Sequence, residues 1–267
     1  MLDEYQVTGR TRSHVVQIEA PRFAAHPETA AAFLRMREAA FVDGIDLVPF
    51  SSFRDFRMQQ RIWNGKFLGS RPLYDDDGRV RDRSNFTEDD VIYSILNWSA
   101  LPGASRHQWG TEIDVVDRSA MAPGYVPKLL PEEVRPGGVF EAMHRWLDGH
   151  IHHYGFFRPY SSFQGGMFAE PWHLSYAPVS LRVIDDLSLE LLARVIGEST
   201  TSGKARILEL LPKIYQRHIL NITPPPEHLG WARCRSSAGS RCVMPSARNF
   251  SGLDFSSRTG SGSAKVM

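Results

Sequence analysis

Residues 105 to 117 read SRHQWGTEIDVVD, and residues 170 to 173 read EPWH. The first stretch sets His107, Glu112, Asp114 and Asp117 close together beside Gly110. Strand alternation accounts for Ile113, Val115 and Val116 with acids between and after them. It does not account for the histidine. A mononuclear catalytic zinc site needs three ligands of His, Asp, Glu or Cys type, an open position for water, and a nearby carboxylate to take that water's proton. His107, Asp114 and His173 make a candidate His-Asp-His set, with metal bonds of about 2.0 to 2.2 Å. Glu170, three residues before His173, is left free as the base.

These groups need elements to hold them. PETAAAFLRMREAA, 27 to 40, opens on proline with an acid in its first turn and an apolar side, as an amphipathic helix does. IDLVPF, 45 to 50, reads as a strand. DFRMQQRIWNGKFL, 55 to 68, reads as a second helix with Met58, Ile62 and Trp63 spaced to face a core. The run 69 to 86 mixes turn residues and charges without period, which predicts a surface loop over a site. Thr87 is the expected N-cap of a third helix, TEDDVIYSILNWSA. VFEAMHRWLDGHIHHYG is a fourth, ending at Gly155, and short strands are expected at GFF and PWHLSY. Two further helical runs, LRVIDDLSLELLARVI and ARILELLPKIYQRHIL, follow, the second interrupted by Pro212.

The pattern is that of an α+β domain, a small antiparallel sheet flanked by helices, over residues 1–180. A helical extension packed on that core is expected over 181–222, and a disordered Ser, Gly and Arg-rich tail over 223–267. At 267 residues and 42% hydrophobic, the chain can bury a proper core. Its formal net charge of +1, from 31 basic and 30 acidic residues, gives no sign of nucleic acid or an anionic membrane as partner. Two cysteines, Cys234 and Cys242, are too few and too late for a disulfide framework and read as unpaired thiols. The N-terminal run MLDEYQVTGRTRSHVVQIEA has no basic start followed by an apolar stretch, and no membrane span is legible anywhere. The cytoplasm is the simplest expected location.

The motifs resemble those of the zinc D-alanyl-D-alanine carboxypeptidases and dipeptidases related to vancomycin-resistance enzymes, which share a metal-site fold with lysostaphin-type peptidases and the hedgehog signalling domain. Ser105, His107, Gly110 and Asp114 match the family's Ser-x-His-x-x-Gly-x-Ala-x-Asp in register. Glu170, Trp172 and His173 match its Glu-x-Trp-His. Upstream, SSFRDFRMQ supplies Ser51, Phe53, Arg54 and Gln59 where the family carries Ser-Gly-Tyr-Arg and a glutamine. The resemblance covers roughly residues 25 to 180. Two positions depart from it, since Glu112 replaces a small alanine and Ser52 stands where glycine is usual. Period-two geometry puts Glu112 on the same side of a strand as Asp114, which leaves it three readings: orienting a ligand, binding a cationic substrate group, or competing for the metal. Register with the family keeps Asp114 as the ligand.

The resemblance implies one zinc ion per chain and hydrolysis of D-Ala-D-Ala-type termini on peptidoglycan precursors or muropeptides. Glu170 would act as general base, and Arg54 would stabilise the oxyanion or hold the substrate carboxylate. Gln59 would contact substrate or support Arg54. Ser105 would orient the first ligand or meet substrate, and Trp172 would pack the wall. An L,D-carboxypeptidase or a dipeptidase acting on related cell-wall peptides would use the same metal set. A non-catalytic zinc-stabilised binding domain is the alternative from another class, and a retained Glu170 argues against it. His144, His150, His152 and His153 lie on one expected helix without a carboxylate partner and read as packing or solvated face. The acids at 75 to 77 read as a turn.

Overall fold

Residues 1–229 of the chain are described by a computed structural model. Of the tail expected over 223–267, residues 230–267, with Cys234 and Cys242, lie outside the described residues, while Glu227–Leu229 forms a 3₁₀ turn. The chain opens with a single helical turn, α1 (Glu4–Val7), and a hairpin of β1 (Val16–Glu19) and β2 (Arg22–Ala25). Sequence reading did not anticipate that hairpin. Its strands are four residues each and β1 is mostly exposed, so no alternating pattern marks it. Helix α2 (Pro27–Val42) follows, with Pro27 in its first turn and Ala30, Phe33, Met36 and Ala40 buried along one stripe.

Strand β3 (Leu47–Ser51) leads into α3 (Phe56–Phe67), whose N-cap Asp55 accepts a hydrogen bond from the Met58 N–H. The buried face of α3 carries Gln59 and Trp63, whereas Met58 is exposed and Ile62 only half-buried. That corrects the apolar face expected from the spacing. Met58 and Ile62 line a cleft, and a cleft wall is as apolar as a core in sequence. Helix α4 (Glu88–Leu96) starts in a reciprocal Thr87–Asp90 capping box.

A four-stranded antiparallel sheet holds the centre, in the order β3, β4 (Glu112–Asp117), β6 (His173–Tyr176), β5 (Phe156–Phe157). One face packs Ile113, Val115 and Leu174 onto α2 and onto α5 (Glu141–His150) through Phe33, Met36, Met143 and Leu147. A second core gathers Trp63 of α3, Ile92 and Ile95 of α4, and Trp109. It continues through α6 (Ala177–Val183), α7 (Leu189–Glu198) and α8 (Lys204–Ile214), which contribute Leu181, Leu192, Ile196, Ile207 and Leu211. Pro212 lies inside α8 and does not break it. The helix continues to Ile214 and passes directly into a π-helical turn over Tyr215–Ile219. No helix of the described residues is long and apolar enough to cross a membrane.

The histidine-rich helix is occupied by packing. His150 stacks on Trp146 with ring centroids 4.2 Å apart, and His144 is buried beside Arg158. His218 is also buried. Burial, reinforced by Arg158 for His144 and by Arg217 and Lys213 for His218, pulls both imidazoles down to about 4. These folded values lie below the ordinary 6.5, so the unfolded chain takes up the two protons more readily. The stability they carry is whole above about pH 6.5 and is lost as pH falls toward about 4. Urea titrations across that window are expected to show a drop of up to roughly 3 kcal/mol per histidine. His144→Gln should flatten the slope, and an identical slope would contradict the assignment.

Candidate metal centre

His107 sits on a 3₁₀ turn, Arg106–Trp109, and the fully buried Trp109 anchors that turn by donating its Nε1–H to the Val7 carbonyl at 3.1 Å. Gly110 then reverses the chain in left-handed geometry, φ 71°, and delivers it into β4. Across the sheet, the register sets Asp114 directly opposite His173 and Glu112 opposite Ser175. Opposed residues project to the same face, so Glu112, Asp114, His173 and Ser175 share the face away from the Ile113 core. Asp117 falls outside this group. Its Oδ1 accepts from the Asp46 and Ser119 N–H groups and closes the strand end.

The three candidate ligands converge. Ligand atoms of His107, Asp114 and His173 all lie within 4.8 Å of one another, and all three residues are buried. Asp114 Oδ2 is 3.2 Å from His107 Nε2, and its Oδ1 is 2.9 Å from His173 Nδ1. The two imidazoles stand edge to face, 4.8 Å between centroids. His107 Nδ1 lies 2.8 Å from the Ser52 carbonyl, which accepts only from an N–H and so leaves Nε2 with its lone pair toward Asp114. Two nitrogens and a carboxylate, one ring already oriented by a backbone carbonyl, fit a divalent ion of zinc type.

Charge in the cluster is steeply arranged. Burial, with Arg54 nearby, pulls His107 down to about 4, so it is the neutral imidazole a metal requires. Burial alone would raise Asp114, but His107 and His173 hold its carboxyl well below the usual range. Hydrogen bonds to Asp114 and Glu112 outweigh burial at His173 and raise it. Glu170 is buried too, and its N–H donates to the Tyr160 carbonyl at 2.9 Å. Burial pushes its carboxyl up to about 7 against the pull of His173, with Asp114 adding and Arg54 and Lys66 opposing. Among the described residues, its nearest ion-pair contact is His173 Nδ1 at 3.6 Å. The carboxylate is near the ligands without being tied to them.

A cleft of about 460 Å³ opens over this face, lined by Arg54, Lys66, Ser105, His107, Asp114, Glu170 and His173. Arg54 is half-buried, and its backbone N–H donates to the His107 carbonyl at 3.3 Å. Trp172 forms wall, stacked on Trp98 at 6.3 Å. From the 69 to 86 segment, Arg71 and Tyr74 reach the cleft. Gln59 does not line it: its amide Nε2 donates to the Ala100 carbonyl at 2.8 Å and so braces the segment whose Ser99 and Ala100 do. Ser105 lines the cleft, but the orientation of His107 expected of it is supplied by Ser52.

Sequence reading passed over Lys66, whose ammonium donates to Ser99 Oγ at 2.7 Å and which burial pulls down to about 8. Met58, Ile62 and Lys66 share one face of α3 at four-residue spacing, and all three line the cleft. That spacing was the available signal.

Comparison with known proteins adds an independent line. A family model described as VanY, D-alanyl-D-alanine carboxypeptidase, matches residues 22–179, more than half of the chain. An uncharacterized protein of Haemophilus influenzae is 38% identical over 98 residues, covering 36% of this chain and 67% of that protein. A D-alanyl-D-alanine carboxypeptidase of Enterococcus faecalis is 24% identical over 145 residues, 53% of this chain but only 44% of that protein. A solved structure of VanYB in complex with D-Alanine-D-Alanine superposes with a TM-score of 0.45 and 20% identity, over 69% of this chain and 89% of that chain. The matched span runs from β2 to the start of α6 and contains every residue of the candidate metal cluster, which places this chain in the VanY D-alanyl-D-alanine carboxypeptidase family.

Proposed function

We propose that the chain is a zinc-dependent carboxypeptidase that hydrolyses D-Ala-D-Ala-type termini of peptidoglycan precursors or muropeptides. One observation carries this reading: the His107, Asp114 and His173 ligand atoms meet in a cleft beside a buried carboxylate, Glu170, that stands outside the ligand group with His173 Nδ1 3.6 Å away as its ion-pair contact among the described residues. Family membership supports the substrate class. His107, Asp114 and His173 would hold the ion. When bound, it supplies Lewis-acid polarisation of the scissile carbonyl and draws the pKa of a water toward neutrality.

The other work falls to side chains. Glu170, its carboxyl held near neutrality by burial, accepts the proton of the attacking water and returns it to the leaving amine as the C–N bond breaks. A carboxyl with a pKa close to the working pH suits both transfers. Arg54 lines the cleft beside Asp114 and Glu170, with an Nε that has no hydrogen-bond partner among the described residues. Its guanidinium meets the negative charge that develops on the carbonyl oxygen, or anchors the terminal carboxylate. Lys66 adds a second cation on the same wall.

The test is mass-spectrometric screening of zinc-loaded protein against muropeptides ending in D-Ala-D-Ala, L-Lys-D-Ala or diaminopimelate-D-Ala, and against free D-Ala-D-Ala. Release of D-Ala from the first substrate, abolished by chelator and restored by zinc, is expected. Cleavage confined to an L,D bond would move the specificity, and stoichiometric zinc with no cleavage of any of them would remove the enzyme reading. Arg54→Met is expected to lower kcat/KM by about 10² to 10³ while zinc content stays unchanged. Steady-state kinetics with metal analysis checks it, and a loss under about fivefold would take Arg54 out of the reaction.

A further inference from the structure

Glu112, where this chain departs from the family's small residue, is completely buried and lies outside both the cleft lining and the converging ligand group. Two of the readings that its sequence position allows therefore fail. It does not face the cleft to meet a substrate cation, and His173 stands between it and the other ligands. The imidazole of His173 divides the face. Its Nδ1 edge looks toward Asp114 at 2.9 Å and Glu170 at 3.6 Å, while its Nε2 edge meets Glu112 Oε2 at 2.8 Å.

The two oxygens of Glu112 have different partners. Oε1 takes the Thr111 hydroxyl at 2.9 Å, the Ser175 hydroxyl at 2.8 Å and the Arg106 guanidinium at 3.1 Å. Among the described residues, Oε2 is bonded to His173 alone. Ser175 in turn accepts from Arg106 at 2.6 Å, and Arg106 lies over the Trp109 ring, 4.7 Å from its centroid. A carboxylate serving only as counter-ion to Arg106 would need none of this division. A buried ion pair is a costly way to fill space, because desolvation offsets much of its attraction. Here the pair holds one oxygen fixed so that the other is aimed at a ring nitrogen.

We propose that Glu112, braced by Arg106, Thr111 and Ser175, is a positioning residue for the metal: it accepts the Nε2–H of His173, fixes that tautomer and presents Nδ1 as the ligand atom. The inference rests on the zinc reading of the site. A carboxylate behind a ligating imidazole locks ring orientation and increases the electron density the ligand donates. Within this chain the two histidines are served differently, His107 by a backbone carbonyl and His173 by an ion. The His173 arm is therefore the one whose strength substitution at residue 112 can tune.

The experiment measures zinc affinity of the full chain by competition with a chromophoric chelator, for the wild type and E112Q. Glutamine keeps the volume but must choose between presenting its oxygen to His173 and presenting an N–H to Arg106, so affinity is expected to fall about 10- to 100-fold. Long-range ¹H–¹⁵N correlation spectra of the zinc-loaded wild type are expected to show His173 protonated at Nε2 and metal-bound at Nδ1. That readout needs no variant, so it stands even if E112Q is too unstable to purify. Metal on Nε2 of His173, or a folded E112Q that binds zinc as tightly as the wild type, overturns the proposal while leaving the zinc site intact. A wild type that binds no zinc overturns the site reading itself, a different and separately visible result.

Discussion

Glu170→Gln is expected to lower kcat on a D-Ala-D-Ala muropeptide by about 10³-fold, within the 10² to 10⁴ that general acid–base catalysis supplies, with zinc binding retained. Glutamine matches the shape of the side chain and the polarity of its surroundings, but an amide can neither take up the water's proton nor return it to the amine. The buried position makes the substitution informative. Glu170 lines the cleft wall with Tyr160 and Trp172 and is itself buried, so the substitution changes the acid–base group at a fixed place in that wall. Its carboxylate lies outside the three-residue ligand group and 3.6 Å from His173, so metal content should be unaffected. A thousandfold loss corresponds to about 4 kcal/mol of barrier. Pre-steady-state kinetics would place that loss in the chemical step. If the variant loses zinc together with activity, Glu170 is a ligand instead of a base. If it keeps both, another group moves the proton.

The parts of this site that sequence could show are those written into short stretches. His107, Gly110 and Asp114 lie in one run of residues and Glu170 with His173 in another, and each run needs a fixed spacing to bring its groups to one place. The antiparallel pairing that sets Asp114 against His173 joins positions 59 apart, yet it follows once both runs are read as neighbouring strands. What stayed hidden has no side-chain signature of its own. The Ser52 carbonyl that orients His107 is backbone, and any residue carries one. The partners of Glu112 come from the 3₁₀ turn, from the adjacent Thr111 and from β6, so its role depends on contacts that composition cannot reveal. Met58 and Ile62 mislead because periodicity reports an apolar face without saying whether a core or a cleft meets it. Gln59 illustrates the converse. A polar residue at a motif position is buried, donates to the Ala100 carbonyl and stays out of the cleft lining, a placement that its type and spacing do not specify.

Gly110→Ala is expected to destabilise the fold by about 2 to 4 kcal/mol and to weaken zinc binding with it. The backbone there sits at φ 71°, a conformation that costs an alanine about 1 kcal/mol or more relative to glycine. Space adds the larger part. A Cβ on Gly110 would lie 2.6 Å from Val15 Cγ1 and 2.7 Å from the His26 backbone nitrogen, and the latter cannot rotate away. That same nitrogen donates to the Gly110 carbonyl at 2.8 Å, so relieving the clash stretches the bond that joins this turn to the start of α2. Any shift propagates over three residues in one direction to His107 and over four in the other to Asp114, both proposed ligands. Gly149 gives the matched control, because it lies inside α5 and a Cβ added there would meet nothing within 4 Å. Gly149→Ala should leave zinc affinity alone and raise stability by about 0.5 to 1 kcal/mol, since alanine is the better helix former. Urea unfolding and chelator competition on both variants separate the effects. Equal stability in the two would mean that the turn at Gly110 tolerates a side chain, and that the spacing between His107 and Asp114 is held by the strand alone.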